Sequence, residues 1–180
     1  MSLVINMKDA VMEKIFPEIF DVVSSEIQEQ TMIISLKSNV KSVCCPNCNH
    51  ISTTKHSTRT RICRDLPISS YATELHISYG TYRCENINCT TKFFPERFDG
   101  FLLPMSRRTV RLDEEIFKLA IVHSSEQTAR DLGTTMHFSI SGDTILRLIR
   151  QKAIIEIDYD SIVAVGIDDF CTKKGQNTEQ

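Results

Sequence analysis

Two pairs of cysteines constrain the fold of this chain more than any other sequence feature. The stretch "CPNC" places two residues between Cys45 and Cys48, and "CENINC" places four residues between Cys84 and Cys89. Either spacing lets two thiolates reach one tetrahedral metal ion from a single turn. We therefore expect a structural Zn²⁺ held by all four cysteines, with no open coordination position for catalysis.

Other interpretations of these cysteines have to be weighed. Cys44 could replace Cys45, but only Cys45 has the two-residue spacing to Cys48. His50 is a further candidate ligand, although four cysteines already complete the coordination shell. A redox CxxC motif requires a following helix in a βαβ context, whereas the stretch after Cys48 is polar and typical of a loop. Cys63 is expected to be buried in a strand.

The chain shows no sign of export or membrane insertion, which bears on the state of its thiols. No apolar stretch approaches the roughly 20 residues that span a bilayer. The N-terminus lacks the apolar core and small-residue cleavage site of a signal peptide. We expect a cytoplasmic protein, and in that reducing compartment clustered cysteines are more often metal ligands than disulfides. The odd count of seven cysteines also excludes complete internal pairing.

The cysteine pairs lie beside predicted strands. "RTRICRDLPI" and "ATELHISYGTYRC" form the main pair, and Leu75, Ile77 and Tyr79 alternate with polar residues as in a half-buried strand. Gly80 is a candidate β-bulge. Upstream, the sequence predicts a short helix from Met7 to Ile19, with Pro17 limiting its end. A β-hairpin formed by "FDVVSSEIQEQ" and "TMIISLKSN" is predicted to follow. Since this module has a thin apolar core, bound metal would supply part of its folding free energy.

Three helices are predicted after the strands. Residues 112–124 are amphipathic, with acidic residues in the first turn. "SEQTARDLG" predicts a second helix that is capped by Ser125 and ends at Gly133 in the left-handed conformation. "SGDTILRLIRQKAII" predicts the third helix.

These helices match the plan of a helix-turn-helix motif, in which the third helix lies in the major groove of DNA. Its early residues, Ser141 to Thr144, would approach base edges, and Arg147 and Arg150 would reach guanine or phosphate. The connection "GTTMHFSIS" is longer than the usual tight turn. An ordinary three-helix bundle with a solvated basic edge would carry the same pattern.

Positive charge is concentrated in the middle of the chain. Residues 41–111 hold eleven Lys and Arg against five Asp and Glu, while the whole chain has a net charge of −2. Within this block, residues 99–111 are typical of a linker, and Arg107, Arg108 and Arg111 are candidates for phosphate contact. A solvated basic surface is the alternative interpretation.

A run of apolar residues, Ile162 to Ile167, leads directly into Asp168 and Asp169. Carboxylates at the end of a buried strand can hold Mg²⁺ for phosphoryl transfer, but a two-metal site needs further acidic residues from other elements. An exposed acidic strand end is the alternative.

Taken in this order, the motifs resemble the ISL-three family of bacterial insertion-sequence transposases. The matching stretches span about residues 44–175 and are "CPNC", "RDLPI", "YRCENINCTTKFFPERF", "RRT", "SGDTILRLIR" and "VGIDDFCTKKG". The resemblance implies a Cys₄ zinc finger, a central helix-turn-helix and a DDE catalytic domain with an RNase H-like fold.

Carried over to this chain, the resemblance implies that the two cysteine pairs bind zinc. It implies that the third helix contacts DNA around Thr144, Arg147 and Arg150, and that Asp168 is the first acid of the DDE triad. In the family a further strand follows this segment, whereas here "QNTEQ" follows it. We therefore expect a C-terminally truncated chain that is not an enzyme as it stands, with Mg²⁺ required only in an intact catalytic domain.

The expected fold class is α+β, with a zinc-stapled β module, a three-helix bundle and an orphan first strand of the catalytic domain. The expected divisions are an N-terminal helix and hairpin (1–40), the zinc finger (41–98), a basic linker (99–111), the helix-turn-helix domain (112–155) and the start of the transposase domain (156–180).

The function expected from the resemblance is zinc-dependent binding of double-stranded DNA at the terminal inverted repeats of an insertion sequence. The expected partners are the DNA, a second copy of the chain or an intact transposase, in the bacterial cytoplasm at the nucleoid and without a membrane. The alternative is a zinc-stapled protein–protein interaction module or a transcriptional regulator with no role in transposition. Dependence on salt separates the two, because phosphate contacts weaken steeply as salt rises.

Overall fold

A computed structural model describes residues 3–5, 12–135 and 137–152, which form an α+β fold with a large sheet and three long helices. The predicted fold class is confirmed at that level. None of the described helices is long and apolar enough to cross a membrane.

The elements, in chain order, are β1 (Leu3–Ile5), α1 (Met12–Ile15), β2 (Phe20–Gln28), β3 (Thr31–Ser38), β4 (Val43–Cys44), β5 (Ile51–Ser52), β6 (Lys55–Ile68), β7 (Tyr71–Arg83), β8 (Phe93–Pro95), α2 (Val110–Val122), α3 (Ser125–Thr135) and α4 (Gly142–Lys152).

The large sheet has the strand order β1-β2-β3-β7-β6, and β8 pairs with the far end of β7. β2 and β3 form the predicted antiparallel hairpin, with Glu29 at a positive φ of 53° in its turn. β6 and β7 form a second, longer hairpin. β3 and β7 pair in parallel, which joins the two hairpins in one sheet. The sequence did not predict this last pairing.

The main core lies on one face of this sheet. The predicted alternation along β7 is confirmed, since Leu75 and Ile77 are fully buried between Ile34 and Leu36 of β3 on one side and Cys63 of β6 on the other. The segment after β8 covers this face, and Phe98, Phe101 and Leu102 are its buried side chains. Burial of such large apolar side chains is the main stabilising contribution in this part of the fold.

Helices α2, α3 and α4 form a second core around Ile116, Leu132 and Ile145, all fully buried. The Thr109 hydroxyl accepts a hydrogen bond from the Leu112 amide and caps α2, which therefore begins at Val110. Leu66, near the end of β6, packs against the same core. The helical bundle thus lies at one end of the β6–β7 hairpin.

The predicted ends of α3 are wrong in detail. The capping hydroxyl belongs to Ser124, which accepts from the Gln127 amide at 3.2 Å, and not to Ser125. Gly133 does not end the helix, which continues to Thr135. Beyond it His137 takes the left-handed conformation (φ 49°) and the Phe138 amide donates to the Leu132 carbonyl at 3.3 Å. His137 thus takes the left-handed position after a helix that glycine usually occupies.

The position of the predicted bulge at Gly80 is also wrong. The register shift nearest to Gly80 lies on β6, where the pairs change from Lys55 with Tyr82 to Ser57 with Thr81. Gly80 is required for a different reason, since its amide donates to the buried Glu96 carboxylate at 2.8 Å. A Cβ atom at this position would lie 2.6 Å from both Glu96 Oε1 and the Tyr82 ring.

Two glycine-to-alanine substitutions should therefore have opposite effects on stability. Gly80→Ala should lower the free energy of unfolding by about 1–3 kcal/mol, the usual cost of overpacking. Gly133→Ala should raise it by about 0.5–1 kcal/mol, because Gly133 lies inside α3 with no atom within 4 Å of an added Cβ. Urea denaturation of the two variants beside the unsubstituted chain measures both changes, and changes of the same sign would contradict this assignment.

Candidate metal centre and nucleic-acid interface

Four cysteine side chains converge at the end of the β6–β7 hairpin that is remote from the helices. The Sγ atoms of Cys45, Cys48, Cys84 and Cys89 all lie within 4.8 Å of one another. Two of the separations are 3.9 Å (Cys45 to Cys89) and 3.6 Å (Cys48 to Cys84). Four thiolates bound at about 2.3 Å to one tetrahedral ion lie about 3.8 Å apart. The cluster could therefore hold one metal ion with little rearrangement.

The first cysteine pair is held by the connection between β4 and β5. The Cys45 amide donates to the His50 carbonyl, and the Asn49 amide donates to the Cys45 carbonyl, both at 2.9 Å. Asn49 has a positive φ of 59°, which closes the turn and brings Cys48 back toward Cys45. The short β4–β5 ladder thus fixes both thiols at one tight turn.

The second pair depends on β7. Cys84 directly follows the strand, and its amide donates to the Lys92 carbonyl at 2.9 Å. The Cys89 amide donates to the Asn86 carbonyl at 3.0 Å and closes the turn between the two cysteines. The position of Cys84 is therefore set by the register of β7 in the large sheet.

The surroundings of the cluster shift the pKa values of two of its thiols in opposite directions. Burial raises the pKa of Cys84 to about 12. The Asn47 side-chain amide donates to Cys89 Sγ at 3.4 Å and lowers the pKa of that thiol to about 6. Buried Tyr82 and Phe94 pack behind the cluster, and the Tyr82 hydroxyl donates to the Val40 carbonyl at 3.0 Å. A bound cation would favour the thiolate at every position, because thiolates are the metal-binding form.

The remaining described cysteines stand apart from this cluster. Cys44 is exposed, although it is the immediate neighbour of Cys45. Cys63 is buried in the main core as predicted, and burial raises the pKa of its thiol to about 12. His50 is exposed and contributes only its backbone carbonyl to the first turn. Selecting Cys45 by the two-residue spacing therefore gives the four cysteines that meet in the structure.

The three arginines predicted to contact phosphate have different surroundings. Arg107 is exposed. Arg108 forms an ion pair with Asp113, which lies in the first turn of α2. Arg111 belongs to α2 and forms two hydrogen bonds with the buried Asp65 carboxylate. Of the three, Arg107 presents its side chain to solvent most fully.

Arg111 connects the helical bundle to the sheet. In addition to its hydrogen bonds with Asp65, the Arg111 guanidinium donates to the Ile15 carbonyl at 2.9 Å. It also lies over the rings of Phe16 and Phe101, at 5.5 and 5.9 Å from their centroids. These contacts give Arg111 a structural role that the run of basic residues did not indicate.

Helix α4 separates an apolar face from a polar one. Ile145 and Leu148 are buried against the other two helices, whereas Arg147 and Arg150 are exposed. The Ser141 hydroxyl accepts from the Thr144 amide at 3.3 Å and caps the helix. The predicted contact residues of α4 thus include two exposed cations and two residues at its N-terminus.

Further exposed cations lie near the metal end and along β6, and sequence reasoning did not single them out. The net charge of residues 41–111 indicated a polyanion-binding region but could not say which side chains reach solvent. These exposed cations are Lys55, Arg59, Arg83 and Lys92.

Several predicted features lie outside the described residues. These are Asp168 and Asp169, the strand predicted at 162–167 and the C-terminal part of the third predicted helix.

Comparison of the chain with protein-family models, with curated proteins and with solved structures gives no match in any of the three.

Proposed function

We propose that this chain binds double-stranded DNA through a zinc-stapled sheet and a three-helix bundle, as the DNA-binding part of an insertion-sequence transposase. The observation that carries the proposal is the placement of two features at opposite ends of one β hairpin. One end has four cysteines with Sγ atoms within 4.8 Å, and the other has a helix that exposes Arg147 and Arg150.

Zn²⁺ is the proposed ion for the cysteine cluster. Four thiolates in a tetrahedral arrangement are the preferred ligands of structural zinc. The cluster offers no open coordination position, which favours a structural over a catalytic ion. The buried side chains that pack behind the cysteines are Tyr82 and Phe94, and they make a small core. Metal binding would therefore contribute folding free energy to this end of the protein.

Contact with DNA through α4 is supported by the packing of the three helices. Ile145 and Leu148 hold α4 against α2 and α3, so that Arg147 and Arg150 on its other face and Ser141 before its N-terminus remain exposed. Ser141 and Thr144 lie at that N-terminus, where residues of a recognition helix approach base edges. Arg147 and Arg150 would then contact guanine or phosphate.

The resemblance to the ISL-three transposases provides the biological context of the proposal. In that context the DNA is the terminal inverted repeat of an insertion sequence, and the partner is a second copy of the chain or an intact transposase. The site of action would be the bacterial nucleoid. Asp168 would belong to a catalytic domain in which Mg²⁺ acts only with the full set of acids.

A salt-dependent binding assay tests the proposal directly. Duplexes enriched from a random library by the zinc-loaded chain are compared with unselected duplexes by fluorescence anisotropy. We expect preferential binding that weakens steeply with salt and is reduced at least tenfold in the Arg147→Gln, Arg150→Gln variant. Lys37→Gln with Lys118→Gln removes the same charge from β3 and α2 and should leave binding nearly unchanged. Lack of enrichment together with salt-independent binding would exclude a DNA-binding role.

A protein-binding role is the second candidate, and the metal end supplies the observation that favours it. Ile51, Ile87 and Phe93 are 63%, 95% and 48% exposed there. Apolar contact with a protein would persist at high salt, unlike phosphate contact. A partner that stays bound at high salt and is lost in Ile87→Ser would support this second function.

A further inference from the structure

The β6–β7 hairpin sets a fixed distance between the metal cluster and the helical bundle. At one end, Asp65 of β6 pairs with Thr73 of β7 and accepts a hydrogen bond from Thr109, the cap of α2. At the other end Cys84 directly follows β7. Eleven residue steps separate Thr73 from Cys84, which corresponds to roughly 36 Å at about 3.3 Å per residue. One turn of B-DNA measures about 34–36 Å.

Each end of this hairpin carries exposed positive charge. Arg83 and Lys92 lie beside the cysteine cluster, with Arg83 at the end of β7 and the Lys92 carbonyl bonded to the Cys84 amide. Arg147 and Arg150 lie on α4 in the helical bundle. Both ends therefore offer the flexible cations that contact phosphate oxygens.

The connection between the two ends is stiff. β7 is paired with β6 on one side and with β3 on the other, so that it is an interior strand over most of its length. The helical bundle is fixed to it by the ion pair of Arg111 with Asp65 and by a short parallel bridge. In that bridge the Arg64 amide donates to the Arg107 carbonyl at 2.8 Å, and the Thr109 amide donates to the Arg64 carbonyl at 3.0 Å.

We infer that the metal end is a second DNA-contact surface, which engages the same duplex at a distance from the α4 contact that the β6–β7 hairpin keeps fixed. This inference rests on the proposed function and adds to it a second site and a spacing. Two contacts joined by a stiff connector act together, because binding at one raises the effective concentration at the other. A duplex must be long enough to reach both.

Binding as a function of duplex length tests this inference without knowledge of the target sequence. Random-sequence duplexes from about 10 to 30 bp, the range around one helical turn of about 10.5 bp, are titrated with the zinc-loaded full chain at fixed salt. We expect the affinity to rise at least tenfold over a narrow range of lengths, beyond the gain from additional binding registers. The slope of affinity against salt should steepen over the same range, since more phosphates are contacted.

Charge variants identify the end responsible for that rise. Arg83→Gln with Lys92→Gln should abolish the rise, so that affinity increases with duplex length only through the gain from additional binding registers. The matched control is again Lys37→Gln with Lys118→Gln, which should keep the rise. Affinity that grows only with the number of registers would overturn the two-site inference but not DNA binding. Salt-independent or undetectable binding at every length would overturn the proposed function itself.

Discussion

Loss of one metal-binding thiol should unfold the metal end of the protein and produce the largest effect of any single substitution considered. Cys84→Ser is expected to abolish binding of the proposed ion, because Cys84 is buried at the end of β7 and all four Sγ atoms lie within 4.8 Å. Structural zinc contributes about 10–16 kcal/mol of apparent binding free energy in zinc-finger peptides. We expect the variant to lose its metal, measured by elemental analysis, and to unfold at much lower denaturant.

Cys44 provides a control for this substitution within the same stretch of chain. It is exposed and adjacent to Cys45, so that Cys44→Ser should keep one equivalent of zinc and near-native stability. Replacement of the zinc by cobalt supplies a second measurement, because tetrahedral thiolate coordination gives characteristic visible absorption. A Cys84→Ser chain that binds zinc as tightly and unfolds at the same denaturant concentration as the unsubstituted chain would rule out this metal centre.

The second large effect is expected at the junction between the sheet and the helices. The Asp65 carboxylate is fully buried, and it accepts from Arg111 and from the Thr109 hydroxyl. Removing one partner of a buried ion pair costs about 3–5 kcal/mol. Since the Arg111 side chain is one-third exposed, we expect Asp65→Asn to lower the free energy of unfolding by about 3 kcal/mol, the lower end of that range.

Two comparisons separate this loss from a general effect of removing a carboxylate. Asp99→Asn changes an exposed side chain in the same way and should alter stability by less than about 0.5 kcal/mol. Combining Asp65→Asn with Arg111→Met removes both charges. The double variant should lose less stability than the two single variants added together, with a coupling of about 0.5–3 kcal/mol in urea denaturation. Strict additivity would show that the two side chains do not stabilise each other.

The structural features that could be predicted from the sequence are those that depend on residues close together in the chain. Alternation in β7 identified Leu75 and Ile77 as core residues, because successive strand residues face opposite sides of the sheet. Spacing selected Cys45 over Cys44, because a tight turn brings only certain pairs of thiols together. Amphipathic periodicity located the three long helices, with ends displaced by a few residues.

Features that depend on residues distant in sequence could not be predicted in this way. The parallel pairing of β3 with β7 joins segments about forty residues apart, and no local pattern in β3 identifies its partner. The basic stretch before α2 was interpreted as a phosphate-binding linker, but Arg111 is engaged by Asp65, 46 residues upstream. α3 passes Gly133 because His137 and Phe138 close the helix farther on, and neither residue is a usual stop signal.

The position of Cys84 depends on the register of β7, so the geometry of the cysteine cluster depends on how β6 and β7 align during folding. β6 and β7 are long, and a hairpin shifted by two residues would keep the same residues facing the core, because successive strand side chains alternate between the two faces. Such a shift would move Cys84 by about 7 Å along the strand direction, given about 3.4 Å per residue. The four thiols could then no longer surround one ion. Binding of the proposed ion would therefore stabilise only the native alignment of the hairpin.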